Sequence, residues 1–283
     1  MTMGIRFATR SDVGLLRDGN EDSAYAGSRL LAVADGMGGH TGGEIASAAV
    51  IEELKRLDID VAEDELLATL GAAVRRANDT VHAIVQSDPS LQGMGTTLTA
   101  MLWSGSKLAV VQVGDSRAYL LRNGDLFQIT HDQTLVQQLL DDGKISEDHV
   151  ASHPFRSLLL QALDGRTQVT PDLQLREALL GDRYLLCSDG LWSMVTPEAI
   201  HHALSTIADP EQVVPHLIDL ANAGGGRDNI TCVVADVVDL TAPASPSPAV
   251  PIVVGAAQAA GQSPGQADGP AVLGNAGTAP AGT

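Results

Sequence analysis

Four aspartates sit where the chain enters or leaves an apolar run. Asp35-Gly36, Asp115-Ser116 and Asp189-Gly190 each follow directly on such a run, and Asp228-Asn229 directly precedes one. Strand ends in a layered sheet lie side by side, so carboxylates distant in sequence can meet there. Asp beside Gly or Asn is also ordinary turn chemistry, and any one of the four alone reads as a turn. Four together read differently. Clustered carboxylates stay ionised only with cations among them. Oxygen-only ligands suit Mg²⁺ or Mn²⁺ rather than zinc. Two such ions about 3.5–4 Å apart can hold a hydroxide and clamp a phosphoryl oxygen. Phosphate-monoester hydrolysis, among the slowest uncatalysed reactions, needs that help. The spacing predicts a metal-dependent phosphohydrolase.

The elements that would position these residues alternate between strands and helices. Leu30–Ala34, Thr96–Trp103, Lys107–Val113, Ala118–Leu121, Tyr184–Cys187 and Ile230–Val238 read as strands, rich in Val, Leu and Thr. Asn123-Gly124 marks a tight hairpin turn with Leu126–Ile129 returning. Thr41 and Glu44 have the spacing of a capping box ahead of a helix through Ile45, Ala49 and Leu54. Leu66, Leu70, Val74, Ala77, Val81 and Ile84 form the stripe of a long amphipathic helix. Thr196-Pro197 and Asp209-Pro210 each set an N-cap before a proline and open two more. His131 to Arg166 is more polar, with one or two helices and a mobile loop expected around Asp141–Pro154. Asp182-Arg183 and Arg75-Arg76 read as charges on a solvated face.

The 283 residues are 44% hydrophobic and 18% charged, the profile of a globular chain. A net charge of −18 disfavours nucleic acid and anionic membranes as partners and demands cations in any phosphate site. Cys187 and Cys232 lie in strand-like runs and read as buried reduced thiols. Met1 to Arg10 has no signal-peptide stretch and no run suggests a membrane span, so a cytoplasmic monomer is expected. Residues 1–240 read as one domain. Residues 241–283, made of Ala, Pro, Gly, Ser and Gln around a short Val250–Val254 patch, read as a disordered tail.

Seven segments, in order, resemble the metal-dependent protein phosphatase family, the type 2C phosphatases, in its compact bacterial form. They are Ser11–Gly14 through Arg17–Asp22, Val33–His40, Gly42–Ser47, Gly95–Thr97, Gly114–Arg117, Ser188–Trp192 and Arg227–Thr231. The resemblance implies an α+β fold, a four-layer α-β-β-α sandwich of two antiparallel sheets flanked by helices. It implies a protein serine/threonine phosphatase that counteracts bacterial protein kinases. The partners implied are phosphorylated proteins, including serine/threonine kinases. Asp35, Asp189 and Asp228 would bind two catalytic Mn²⁺ or Mg²⁺ ions, with Asp35 bridging and the Gly36 carbonyl as a further ligand. Asp22 would act through metal-bound water, Arg17 would grip the substrate phosphate, and Asp115 would join Asp189 at a third ion. The implied reaction is direct attack by a metal-bridging hydroxide, without a phosphoenzyme. Eukaryotic members carry a histidine straight after the Asp-Gly pair; Met37 holds that slot here. Either His40 serves as general acid or metal-bound water does.

Two other readings stay open. One is a non-catalytic phosphoprotein-binding module on the same fold, though such modules lose metal-binding aspartates and this chain keeps them. The other keeps the chemistry but takes a phosphorylated regulator of transcription as substrate. The glycine cluster Gly36–Gly42 misses a dinucleotide fingerprint because Thr41 stands at the third glycine. Nucleotide binding is not expected.

Overall fold

Continuous apolar strands such as Leu30–Ala34 require cover on both faces, and the computed structural model supplies it with layers of sheet and helix. It describes residues 2–38, 42–150, 152–166, 168–241 and 250–261. The first half runs β1 (Met3–Asp12), β2 (Ser23–Ala26), β3 (Leu30–Ala34), β4 (Gly36–Met37), α1 (Gly42–Leu54), α2 (Leu66–Ser87), β5 (Gly95–Thr96) and β6 (Leu98–Ser104). Then come β7 (Lys107–Val113), β8 (Arg117–Arg122), β9 (Asp125–Gln128), α3 (Leu135–Asp141), α4 (Glu147–Val150) and β10 (Asp172–Glu177). The chain continues with β11 (Arg183–Cys187), α5 (Asp189–Trp192), α6 (Pro197–Thr206), α7 (Pro210–Ala223) and β12 (Ile230–Asp239). It closes with β13 (Ile252–Gly255) and α8 (Ala256–Gly261).

Among the described residues one large sheet has the order β1-β12-β11-β8-β9 and a second β10-β7-β6-β3-β2-β13, while β4 and β5 form a separate two-stranded ladder; every pairing is antiparallel. Strand periodicity divides the core into layers. Leu31 and Val33 of β3 meet Val233, Ala235 and Val237 of β12 between the sheets. Their neighbours Leu30, Ala32 and Ala34 pack under α1 and α2. Cys232 and Val234 face the other way, under α6 and α7. The result is the four-layer α+β sandwich expected.

Local signals explain the helices. In α2, Leu66, Leu70, Val74, Ala77 and Val81 are fully buried on one stripe. The Thr196 side chain accepts from the Ala199 N–H, and that of Asp209 accepts from the Glu211 N–H. Each such cap is worth about 1 kcal/mol. Asn123 and Gly124 both take positive φ, 55° and 90°, as the hairpin between β8 and β9 requires. The capping role expected of Thr41 lies outside the described residues.

Three expectations need correction. Asp182-Arg183 is not a solvated pair: Asp182 and Arg183 are 2% and 8% exposed. Arg183 bonds Asp236 and the Leu204, Ile207 and Ala208 carbonyls, while Asp182 accepts from Arg122 and the Leu179 N–H. Burial of these charges is tolerated because each is paired. Second, part of the segment read as a disordered tail is structured. Ile252–Gly255 pairs with β2, and Ala256–Gly261 is a short helix beside α1. Third, the loop expected around Asp141–Pro154 contains a short helix, Glu147–Val150, which with α3 makes two helices between His131 and Arg166, as expected for that stretch. Cys187 and Cys232 are buried, free and directly opposed across β11 and β12. No helix among the described residues is long and apolar enough to cross a membrane.

Candidate active site

Strand direction brings the aspartates together. β3 and β7 are both antiparallel to β6 and so run the same way, which puts Asp35 and Asp115 at one end of their sheet. β11 and β12 are antiparallel, so the end of one lies beside the start of the other, and Asp189 meets Asp228. The two sheet ends face each other across a cleft of about 480 Å³. Arg17, Glu21, Asp35, Gly36, Met37, Thr97, Asp115, Asp189, Asp228 and Asn229 line it, as do Ser157 and Leu159.

Asp35 and Asp115 are held by their backbones. The Asp35 N–H donates to Thr97 Oγ1 at 3.0 Å, and its carbonyl accepts from the Thr97 N–H and from Thr96 Oγ1, both at 2.9 Å. Thr97 Oγ1 also bonds Ser116 Oγ at 2.7 Å, which joins the Asp35 loop to the Asp115 loop. Trp192 Nε1 donates to the Asp115 carbonyl at 3.0 Å, and the Arg117 guanidinium lies 3.6 Å over the Trp192 ring while pairing with Asp132. Gly36 is required by space: a Cβ there would stand 2.3 Å from the Gly43 carbonyl oxygen and 2.4 Å from that of Glu21.

The loop before β2 carries Arg17. Its guanidinium reaches Asp228 at 2.7 Å and keeps half its side-chain surface exposed. The Asp228 hydrogen bond raises its pKa, so it stays cationic. Asn229 staples this loop: Nδ2 donates to the carbonyls of Val13 at 2.9 Å and Gly19 at 2.8 Å, and Oδ1 accepts from the Glu21 N–H at 2.8 Å. Asp22 is 1% exposed and lies behind the cleft, accepting from Ser188 Oγ at 2.8 Å. Ser188, Thr97, Ser116 and Asn229 had no role assigned from sequence. The signal available was their position inside the quoted motifs.

Burial dominates the electrostatics. It drives Asp35 well above the ordinary carboxylate range, with Asp22, Asp189, Asp115 and Asp228 adding repulsion. Burial pushes Asp115 up to about 8, with Asp189 and Asp132 contributing, and Asp22 up to about 7. Asp189 is raised to about 6 by burial and by Asp228, against an opposing hydrogen bond with Asp35. Among the described residues no three His, Cys, Asp or Glu side chains already close on one point as a ligand set. The four carboxylates that line the cleft, Asp115 buried and Asp35, Asp189 and Asp228 partly so, nevertheless offer oxygen donors with Arg17 as the cation beside them, the chemistry that fits hard divalent cations.

No described histidine lines the cleft. His131 pairs with Asp141, His82 bonds the Gly165 carbonyl, and His153 bonds the Phe155 N–H. His40 lies outside the described residues. Met37 does line the cleft, in the slot next to Gly36.

The model of protein phosphatase 2C matches residues 18–228. The chain belongs to the protein phosphatase 2C family. Within it, the chain is 55% identical over 239 residues to the serine/threonine protein phosphatase PstP of Mycobacterium tuberculosis, covering 84% of this chain and 46% of that protein. It thus spans about half the length of that relative. It is 34% identical over 236 residues to the serine/threonine phosphatase stp of Listeria monocytogenes, covering 80% of this chain and 94% of that one. Among solved structures, the M. tuberculosis serine/threonine phosphatase PstP/Ppp superposes with a TM-score of 0.81 at 54% identity, over 83% of this chain and all of that one. The catalytic domain of PstP in complex with two manganese ions gives 0.79 at 53%, over 84% of this chain and all of that one.

Proposed function

We propose that this protein phosphatase 2C chain hydrolyses phosphoserine and phosphothreonine in other proteins, its own partner kinases included. The observation that carries the reading is the convergence of Asp35, Asp115, Asp189 and Asp228, from both sheets, on one cleft with Arg17 beside Asp228. The similar PstP catalytic domain binds two manganese ions, which supports the same cofactor here. Asp35, Asp189 and Asp228 would hold two Mn²⁺ or Mg²⁺ ions with the Gly36 carbonyl, and Asp115 with Asp189 a third. Such ions supply Lewis acidity toward a phosphoryl oxygen and lower the pKa of water.

The protein's own groups do the rest. Arg17, half-exposed beside Asp228, presents a planar fork to the substrate phosphate. Thr96 and Thr97 fix the Asp35 backbone, so its carboxylate needs little reorganisation when a cation arrives. Asp22, bonded to Ser188, orients water from behind the aspartates. Cys187 and Cys232 are buried under α6 and α7, away from the cleft, which argues against a cysteine nucleophile; direct displacement at phosphorus, without a phosphoenzyme, is what the family resemblance implies. Met37 offers no proton, which leaves His40 or water to protonate the departing alcohol.

The test is hydrolysis of a phosphothreonine peptide with Mn²⁺ and then with excess chelator. Turnover that vanishes with the metal is expected. No turnover with any divalent ion would overturn the reading in favour of a phosphoprotein-binding module.

A further inference from the structure

The segment Ile252–Gly261 has no part in the chemistry above, yet it is built into the backbone that carries Asp22. β13 pairs with β2 through Ile252↔Ala26, Val253↔Tyr25, Val254↔Ala24 and Gly255↔Ser23. Without it, β2 would be an open sheet edge. Alternation along β13 sends Val253 to the helix-side core and Val254 to the core between the sheets.

The change from strand to helix is fitted to one spot. Gly255 takes φ +75°, and a Cβ there would stand 2.1 Å from the Asp22 carbonyl oxygen. The next two amides donate into the same place, Ala256 N–H to the Asp22 carbonyl at 2.8 Å and Ala257 N–H to Ser23 Oγ at 3.0 Å. Ser23 Oγ bonds Ser47 Oγ, which donates to the Glu21 carbonyl. Ala257 is 1% exposed in the core beneath α1.

Glu21–Ser23 is therefore gripped from two sides. On the tail side stand the amides of Ala256 and Ala257. On the cleft side Asn229 accepts from the Glu21 N–H, and Ser188 donates to the Asp22 carboxylate. Asn229 and Ser188 are the chain neighbours of Asp228 and Asp189. We propose that Ile252–Gly261 is a positioning element of the metal site: docked on β2, it fixes the Glu21–Asp22 backbone and through it the setting of the aspartates that receive the cations. This rests on the proposed function, since it concerns the same ions.

The test uses the full chain with Gly255→Val, whose side chain has no room against Asp22, and independently with Ala257→Glu, which would bury a charge under α1. Gln258→Ala, an exposed position on the same helix, is the control. Amide exchange across Ala24–Ala26 in metal-free protein reads docking, and calorimetric titration with Mn²⁺ reads the site. Both variants should exchange faster in β2 and bind Mn²⁺ roughly tenfold more weakly, the usual scale for groups behind a metal ligand. Their kcat at saturating Mn²⁺ should stay near that of the parent, and the control should match the parent throughout. Faster exchange with unchanged Mn²⁺ affinity overturns the proposal, because the segment would then be only an edge cover. Parent-like exchange in both variants overturns it too, because docking would then not depend on this fit. If the parent binds no Mn²⁺ while β2 is protected, the functional reading itself has failed and the inference falls with it.

Discussion

Replacing Asn229 with alanine should loosen the loop that carries Arg17, the proposed phosphate contact, without touching a proposed cation ligand. The side chain is 4% exposed and makes three hydrogen bonds, to the Val13 and Gly19 carbonyls and from the Glu21 N–H. At about 1 kcal/mol net each, with a wide spread, their loss costs roughly 2–4 kcal/mol. For a domain of this size that lowers the melting temperature by about 4–16 °C. Arg17 lies between the two stapled carbonyls, so its reach toward a phosphate should suffer more than metal binding does. Losing one charge-assisted bond, about 1.5–3 kcal/mol, corresponds to a KM increase of roughly tenfold or more, with kcat far less affected. Differential scanning calorimetry of metal-free protein and steady-state kinetics on a phosphothreonine peptide at saturating Mn²⁺ give the two numbers. Asn229→Asp should be worse, because a carboxylate would face the same two carbonyls. A melting temperature within ~2 °C of the parent, together with an unchanged KM, would refute the stapling role.

Asp189→Asn should abolish Mn²⁺-dependent turnover while the protein still melts cooperatively; retained activity would remove Asp189 from the metal site. Arg17→Lys should raise KM nearly as much as Arg17→Ala, since an ammonium cannot replace the fork, and full rescue by lysine would speak against a bidentate phosphate contact. Metal-free protein should lose stability as pH rises. Folded Asp189, Asp22 and Asp115 hold their protons to about 6, 7 and 8 against an ordinary 3.8, so their contribution is whole below about pH 4 and drains as pH climbs through those values. Thermal melts from pH 5 to 8.5, with and without Mn²⁺, should show the metal stabilising most at the alkaline end, where its ligands are already deprotonated. A flat metal-free profile would contradict the buried-carboxylate reading.

Long buried strands are legible because they are covered on both faces: Leu30–Ala34 is apolar throughout and Ile230–Asp239 largely so, whereas β2, Ser23–Ala26, is buried but too short and too polar to stand out. Capped helices and the Asn123-Gly124 turn were readable because their determinants are local. β1 and β10 were not. Met3–Asp12 mixes arginines with Ile5 and Phe7, and Asp172–Glu177 is a half-exposed edge strand, so both depend on a partner for their identity. The same holds for β13, whose Val250–Val254 patch stands out only against a bland tail and becomes a strand only on β2. The strand-end aspartates were legible, since apolar runs reveal where strands stop. The bond from Ser188 to Asp22 spans 166 positions and no local pattern encodes it. Arg183 was misread because its compensating carbonyls come from the end of α6 and the loop after it.

The antiparallel order of the strands has a consequence for assembly. Each sheet brings two of the four cleft aspartates, one sheet Asp35 and Asp115, the other Asp189 and Asp228. On the proposed metal roles, a chain with only one sheet formed would hold half a centre. Ion capture would then act as a latch on the finished sandwich. It would select the state in which both sheets have met, leaving a nascent or partly opened chain without the proposed activity.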